Sequence, residues 1–491
     1  MKERVAVIGG GFSGLAAAAH LAKAGRSVTL VEKNDELGGR ARVLREAGFL
    51  FDRGPSWYWM PDVFEEFFAH FGHHPSDLYE LKRLDPSYSV YFGPRQRMDV
   101  PATMEGLHRL FEELEPGSSG KLDRFLLEAS RKYELAMGGM VQQPGLSPLE
   151  LIQPRALAGM LRMSVFGSFS AHVRKYFKHP KLISLLEFPV LFLGATPQDT
   201  PALFSLMNHA DMALGTWYPM GGMGRVVDAM AQVAREQGVE IATGVTVKEL
   251  AVEHGRVTRV LTDTVDIACD QVVAAADYHH VEQSLLGPGY RTYSASYWED
   301  RTLAPSVLMF YIGVGRTLKN AQHHMLFFDE DLGPHAREIY KDPRWPSRPL
   351  FYASCTSVTD PGVAPAGMEN LVILIPIAPG LDDEEAIREH YYHLVLERME
   401  RIIGEEIRPH VVHRSSCSVS DLIQDVNAFK GNAYGLANTL RQTAFLRPSI
   451  RSRKLKNLYF AGQFTVPGPG VPPALISGGI VARQLLKDHS R

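Results

Sequence analysis

Gly9, Gly11 and Gly14 stand in G-x-G-x-x-G spacing, with Phe12 and Ser13 between the last two, and Glu32 follows further on. These residue types at this spacing suit a dinucleotide. The first glycine permits a tight turn, the second lets the backbone approach a pyrophosphate, and the third lets the following helix pack close to the preceding strand. A carboxylate about twenty residues later reaches ribose hydroxyls. The chemistry requires elements to hold it. Val5–Ile8 is a short, continuously apolar run, as expected of a parallel strand buried on both faces. Leu15–Ala24 is rich in Ala and Leu and reads as a helix that Gly25 can cap. Val28–Val31 returns as a second strand and leaves Glu32 at its end. The glycine pattern alone is weak; strand, glycines, helix, strand and acid together are strong. Two other readings compete. A targeting peptide would use Lys2, Arg4 and the apolar run, but three consecutive glycines suit it poorly. A Rossmann-type loop that holds no nucleotide is the other.

Composition narrows the function classes. The 491 residues imply two or three structural domains with a large core. Hydrophobic content of 45% and charged content of 22% are ordinary for a globular protein, and a formal net charge of −3 carries no nucleic-acid signal. Cys269, Cys355 and Cys417 are far apart and odd in number, which fits reduced thiols in a cytoplasmic setting. The pairs His279-His280 and His323-His324 invite a metal reading, but adjacent side chains point in different directions and no acid-rich partner motif accompanies them, so no metal is expected.

Leu37-Gly38-Gly39-Arg40 follows the acid, and here the sequence resembles the FAD-dependent amine oxidase and phytoene desaturase superfamily. The resemblance implies FAD as cofactor, with the Gly38-Gly39-Arg40 segment close to the diphosphate and flavin. The Gly462-Gln-Phe-Thr-Val-Pro-Gly-Pro-Gly-Val-Pro-Pro-Ala-Leu-Ile-Ser-Gly run is similar to bacterial-type phytoene desaturases. So are Gly194-Ala-Thr-Pro, Gly215-Thr-Trp-Tyr-Pro-Met-Gly-Gly and Lys430-Gly-Asn-Ala-Tyr-Gly-Leu. By this likeness Gly9, Gly11, Phe12, Ser13, Gly14, Glu32, Lys33, Gly38, Gly39, Arg40, Val247, Gly462, Gln463 and Val471 are the candidate cofactor-binding residues. Val247 matches a position whose backbone contacts adenine. Gln463 stands where the broader family often has an acid for the ribityl chain. Ala275-Ala276-Asp277 replaces the family's frequent Asn-Ala-Asp.

The resemblance implies an α/β fold: a Rossmann-like FAD-binding domain of the glutathione-reductase type, a mixed-sheet substrate domain and a helical, membrane-facing cap. The expected division is FAD binding in residues 1–75, 217–289 and 446–491, substrate domain in 76–137 and 290–445, and cap in 138–216. Helices are expected at 62–72, Met104–Leu114, Ser119–Met137, 226–234, Asp383–Ile403 and Ala474–Leu486. Strands are expected around 88–92, Val239–Val247, Gln271–Asp277, Val307–Val314, Leu350–Ala353, Leu371–Ile377 and Leu458–Gly462.

The implied activity is desaturation of a forty-carbon polyene, phytoene towards neurosporene or lycopene, with oxygen or a quinone as re-oxidant. A hydrocarbon offers no charge to grip, so its binding must come from apolar burial, roughly 25 cal/mol per Å². Glu187, His209 and Asp211 are the titratable residues in or near the cap, and none is assigned as a catalytic base. From Leu151 to Leu186 there is no Asp or Glu, while Arg155, Arg162, Arg174, Lys175, Lys178 and Lys181 alternate with apolar residues that include Phe169 and Phe177. Such a segment suits a peripheral membrane contact, the alternative being a basic helix facing water. No apolar run is long enough to span a bilayer. Other desaturases or isomerases of carotenoids, a retinol-saturase-like enzyme, an amine oxidase and a non-redox lipid chaperone of the GDP-dissociation-inhibitor type are the competing functions.

Overall fold

The computed structural model describes residues 2–151, 167–193 and 196–489. Two sheets carry the architecture. The first has five strands in the spatial order Leu458–Phe460, Gln271–Ala274, Arg4–Ile8, Ser27–Val31 and Glu240–Ala242, all parallel. Its central strand is buried at Val5, Ala6, Val7 and Ile8, as a continuous apolar run between two covered faces requires. The helix Phe12–Lys23 follows the glycine turn and ends where Gly25 takes φ +86°. There the Gly25 and Arg26 N–H groups return to the carbonyls of Ala22 and Leu21, a Schellman closure. The helices Gly224–Glu236 and Val471–Asp488 pack against it. Gly478 is what lets the last of these approach: a β-carbon there would lie 2.3 Å from the Ser13 carbonyl oxygen.

The second sheet has seven strands: Val411–Cys417, Ser306–Val314, Glu369–Ile377, Phe351–Ser354, His324–Phe327, Tyr88–Tyr91 and Arg97–Val100. It is antiparallel except for the pairing of Tyr88–Tyr91 with His324–Phe327. Alternation along its central strands divides two cores. Leu308, Phe310, Ile312, Ile373 and Ile375 pack on the helix Glu385–Ile403 through Tyr392, Val395, Leu396 and Met399. Val307, Met309, Tyr311, Val372 and Leu374 point to the opposite side.

Helices Pro61–His70, Met104–Leu114, Ser119–Leu135, Phe169–Tyr176 and Pro180–Glu187 form the helical part beside this sheet. The buried Lys132 holds it together, meeting Glu128 at 2.8 Å, the Ala202 carbonyl at 3.2 Å and Ser205 Oγ at 3.1 Å. Trp217–Pro219 is a short strand paired with Leu81–Arg83, and Gly221 and Gly222 make the turn after it at positive φ.

Two apolar residues of the basic segment face the core, while residues 152–166 lie outside the described residues. Phe169 and Phe177 are fully buried in the main core, the Phe177 ring packing edge-on against Phe125 and Phe111. Arg174 pairs with Glu187, and Lys181 lies over the Phe92 ring. Lys175 and Lys178 remain exposed. Arg155, Arg162 and the start of the Gly194-Ala-Thr-Pro motif lie outside the described residues.

Candidate active site

A cleft of about 270 Å³ opens at the C-terminal ends of the parallel strands and runs to the inner face of the seven-stranded sheet, where open α/β sheets bind their ligands. Of the candidate residues, Gly9, Gly11, Phe12, Ser13, Glu32 and Lys33 line it. So do Gly38, Gly39, Arg40, Val247, Gly462, Gln463 and Val471. Gly14 does not; it sits behind the turn, against Gly9.

The glycine turn is built to leave a gap. Gly9 has φ +104° and donates to the Val31 carbonyl. Gly38 donates to the Gly10 carbonyl, which brings Gly39 opposite Gly11. A β-carbon on Gly11 would meet nothing nearer than the Gly38 oxygen at 3.9 Å, so that side is open towards the cleft. The helix Phe12–Lys23 starts at this point and presents its N-terminal end, where unpaired N–H groups and the helix dipole favour an anion.

Glu32 is buried at the end of its strand. Its Oε2 accepts from the Gly10 N–H at 2.8 Å, and Oε1 accepts from the Asn34 backbone and side chain at 2.9 and 2.8 Å. Each oxygen retains acceptor capacity for a ribose hydroxyl. Lys33 lines the wall, but its ammonium is turned to the Gln424 carbonyl at 2.5 Å and Asn427 Oδ1 at 3.3 Å.

Arg40 lies across the cleft from the glycines. Its Nη2 is 3.9 Å from Asp277 and 3.4 Å from the Asn432 carbonyl. Its Nε is buried with no partner among the described residues. Burial lowers the Arg40 pKa, opposed by Asp277, and burial raises that of Asp277. Both shifts say that a pair 3.9 Å apart does not fully offset desolvation. Gln463, with its amide oxygen towards Arg40, accepts from Nη2 and from the Gly435 N–H, both at 3.1 Å.

Sequence reading missed the other end of the cleft. Val307, Met309, Leu374, Ala433 and Tyr434 give it an apolar wall. Arg42 and Arg53 also line it, joined through Asp425 at 3.1 and 2.5 Å. The Arg-x-Arg spacing of Arg40 and Arg42 was a visible signal. Nothing marked Met309 or Leu374, since these strands are apolar at every second and every intervening position.

The titratable residues of the cap do not line the cleft. Glu187 is held by Arg174, and His209 lies tilted on Tyr133 at 5.2 Å. Asp211 is buried, accepts from Tyr88 OH at 2.6 Å and Thr216 Oγ1 at 3.3 Å, and is pushed by burial to about 7. The His323 and His324 rings meet edge to face at 4.4 Å, and each has its own polar partner. His324 stacks on Trp57 at 4.1 Å and meets Tyr352 OH, His323 meets Thr359, and His279 stacks on Phe429.

Comparison with known proteins agrees with this geometry. Residues 12–486 match the family of flavin-containing amine oxidoreductases. A carotenoid 3,4-desaturase from Haloarcula japonica is 43% identical over 489 residues, covering 99% of this chain and 98% of the relative. A 4,4'-diapophytoene desaturase (4,4'-diaponeurosporene-forming) from Staphylococcus aureus is 30% identical, covering 99% of each chain. Among solved structures, an oxidoreductase from Methanosarcina mazei superposes with TM-score 0.64 at 17% identity, covering 98% of this chain and 100% of that one. Putrescine oxidase superposes with TM-score 0.63 at 14% identity, covering 99% of each. These two show the fold. With residues 12–486 matched by the family and two carotenoid-pathway desaturases at 43% and 30% identity over 99% of the chain, the chain belongs to the flavin-containing amine oxidoreductase family, in its carotenoid-desaturase branch.

Proposed function

We propose that this protein is an FAD-dependent desaturase that introduces double bonds into a forty-carbon carotenoid chain at a membrane surface. The observation that carries the reading is the continuity of the cleft: a polar, glycine-lined end made for a dinucleotide runs into an apolar wall of Val307, Met309 and Leu374. FAD is the family's cofactor, and the residues present fit it. Gly11, Phe12 and Ser13 at the helix start would take the diphosphate, joined by Arg40, whose buried Nε lacks a partner among the described residues. Glu32 would take the ribose and the Val247 backbone the adenine, while Gly462, Gln463 and Val471 would hold the ribityl and pyrimidine end. When bound, FAD supplies the acceptor for an allylic hydride.

The chain's own residues do the rest. Apolar side chains of the inner sheet face exclude water and orient the polyene by burial. The acids of the cleft have other partners: Glu32 the N–H groups of Gly10 and Asn34, Asp277 those of His280 and Phe429, and Asp425 Arg42 and Arg53. No residue is therefore assigned as a catalytic base. Oxygen or a membrane quinone would re-oxidise the cofactor. Among the described residues no helix is long and apolar enough to cross a membrane. The insoluble substrate is then met at the bilayer surface, with the protein on the cytoplasmic side, and exposed Lys175 and Lys178 support contact with anionic headgroups.

Two substrates follow from two observations. The phytoene-desaturase resemblance of the C-terminal loop favours phytoene, towards neurosporene or lycopene; the 43% identical relative favours 3,4-desaturation of a carotenoid already made. Incubation of the FAD-loaded protein with liposomes carrying phytoene or lycopene, followed by chromatography, tests both. A product with a longer conjugated system is expected from one of them without nicotinamide. Turnover of an amine with no change in either carotenoid would overturn the reading.

A further inference from the structure

The Arg447 guanidinium is 3% exposed and lies under the loop that forms one wall of the cleft. Its Nη1 donates to the carbonyl oxygens of Gln463 at 3.0 Å and Phe464 at 3.5 Å. Its Nη2 donates to the Leu436 carbonyl at 3.1 Å and to Asn438 Oδ1. Every one of these acceptors is neutral. Among the described residues no carboxylate pairs with Arg447, and burial pulls its pKa down to about 9. Lys132, buried as well, has Glu128, and the half-buried Arg388 and Arg398 have Asp383 and Asp329.

The loop is thin. Gln463, Phe464 and Gly470 line the cleft, and a β-carbon on Gly468 would stand 3.1 Å from Arg447 Nη2. One backbone segment therefore separates the guanidinium from the cleft. An ion buried without a counter-ion is costly, and its field is little screened by solvent. Neutral oxygens accept from both Nη groups, Nε has no partner among the described residues, and the net charge stays in place.

We infer that Arg447 is a fixed positive charge that raises the midpoint potential of the flavin held in the cleft. A hydride brings two electrons and one proton, so the flavin gains one negative charge as the substrate C–H bond breaks. The second proton leaves the neighbouring carbon for solvent as the double bond forms. A permanent cation behind Gln463 favours the more negative form. Arg447 touches neither substrate nor cofactor and acts by electrostatics. The inference rests on the reading that FAD occupies this cleft.

The test is an anaerobic redox titration of the FAD-loaded protein followed by flavin absorbance, with FAD content and thermal unfolding recorded for each variant. Arg447→Met removes the charge. Asn438→Asp keeps the guanidinium and its geometry and neutralises it. In both, the ratio of oxidised to reduced flavin at a fixed potential should rise about tenfold, which is about 30 mV for a two-electron couple. Arg447→Lys, which keeps the charge, should titrate near wild type. FAD-loaded Asn438→Asp protein that titrates as wild type overturns the inference, as does Arg447→Lys protein that shifts as far as Arg447→Met. If Arg447→Met does not fold, Asn438→Asp decides alone. Failure of the underlying reading looks different: Gly11→Val protein would then bind FAD as wild type does.

Discussion

Gly14 lies directly against Gly9: a β-carbon on Gly14 would stand 1.9 Å from the Gly9 carbonyl oxygen. Gly11, three residues earlier, has open space where its β-carbon would be. The two glycines therefore serve different ends. Gly14 lets the helix Phe12–Lys23 pack on the strand that precedes it, and Gly11 leaves a gap for a ligand.

The two substitutions should separate these roles. Gly14→Ala must push the helix from the turn and should destabilise the protein by about 1–3 kcal/mol, as overpacked sites do. Gly11→Val should fold with a near-normal unfolding temperature but purify without yellow colour. Thermal unfolding together with FAD absorbance checks both. Gly11→Val protein carrying a full complement of FAD would show that the gap is not the diphosphate site.

Glu32 is bound to the turn as well as placed for ribose. Glu32→Ala leaves the buried Gly10 N–H without its acceptor, at a cost of about 1–3 kcal/mol. Glu32→Gln retains a carbonyl acceptor for Gly10 and loses charge. The expected order of FAD affinity is wild type, then Gln, then Ala, measured by fluorescence as FAD is released. Equal affinities in all three would remove Glu32 from the site.

Asp211 should contribute a part of the stability that is lost as pH rises from about 4 to about 7. Burial raises its carboxyl to about 7, against 3.8 for a free aspartate, and Asp52 is raised to about 7 in the same way. Between those values the native state holds a proton that the unfolded chain has released, so stability falls as pH rises through the window, by up to about 1.4 kcal/mol per unit and site. Below the lower value this contribution is fully present; above about 7 it is gone. Asp211→Asn should lose less stability than wild type from about pH 5 to about pH 8 in urea unfolding. Asp52 should keep part of the slope. An unchanged slope would mean that Asp211 is ionised across the range.

Membrane contact should depend on Lys175 and Lys178 and little on Arg174, which is already paired with Glu187. Each cation near an anionic surface contributes on the order of 1 kcal/mol. The double change Lys175→Glu, Lys178→Glu should reduce flotation with anionic liposomes, most at low salt, and leave FAD content unchanged. Flotation equal to wild type would assign the contact to another surface.

The nucleotide half was legible because its signals are local. A continuous apolar strand, glycines at fixed offsets, an Ala/Leu-rich helix ending at Gly25 and an acid at the next strand end are all set within the first 32 residues. The helices Met104–Leu114 and Glu385–Ile403 and the strands Ser306–Val314 and Glu369–Ile377 lie within a few residues of their expected limits, since periodicity is also a local property. What the chain could not disclose by itself depends on which face meets which neighbour. Phe169 and Phe177 have the composition of a lipid contact and are instead core, a difference made only by packing such as that of Phe177 on Phe125 and Phe111. Met309 and Leu374 become the cleft wall through the register Met309 to Leu374 across two antiparallel strands 65 residues apart. Arg447 is a buried charge without an acid among the described residues because the tertiary structure surrounds it with carbonyls. Sequence spacing determines the identity of a turn or a cap within a few residues; burial, pairing and charge compensation are decided between segments far apart in the chain.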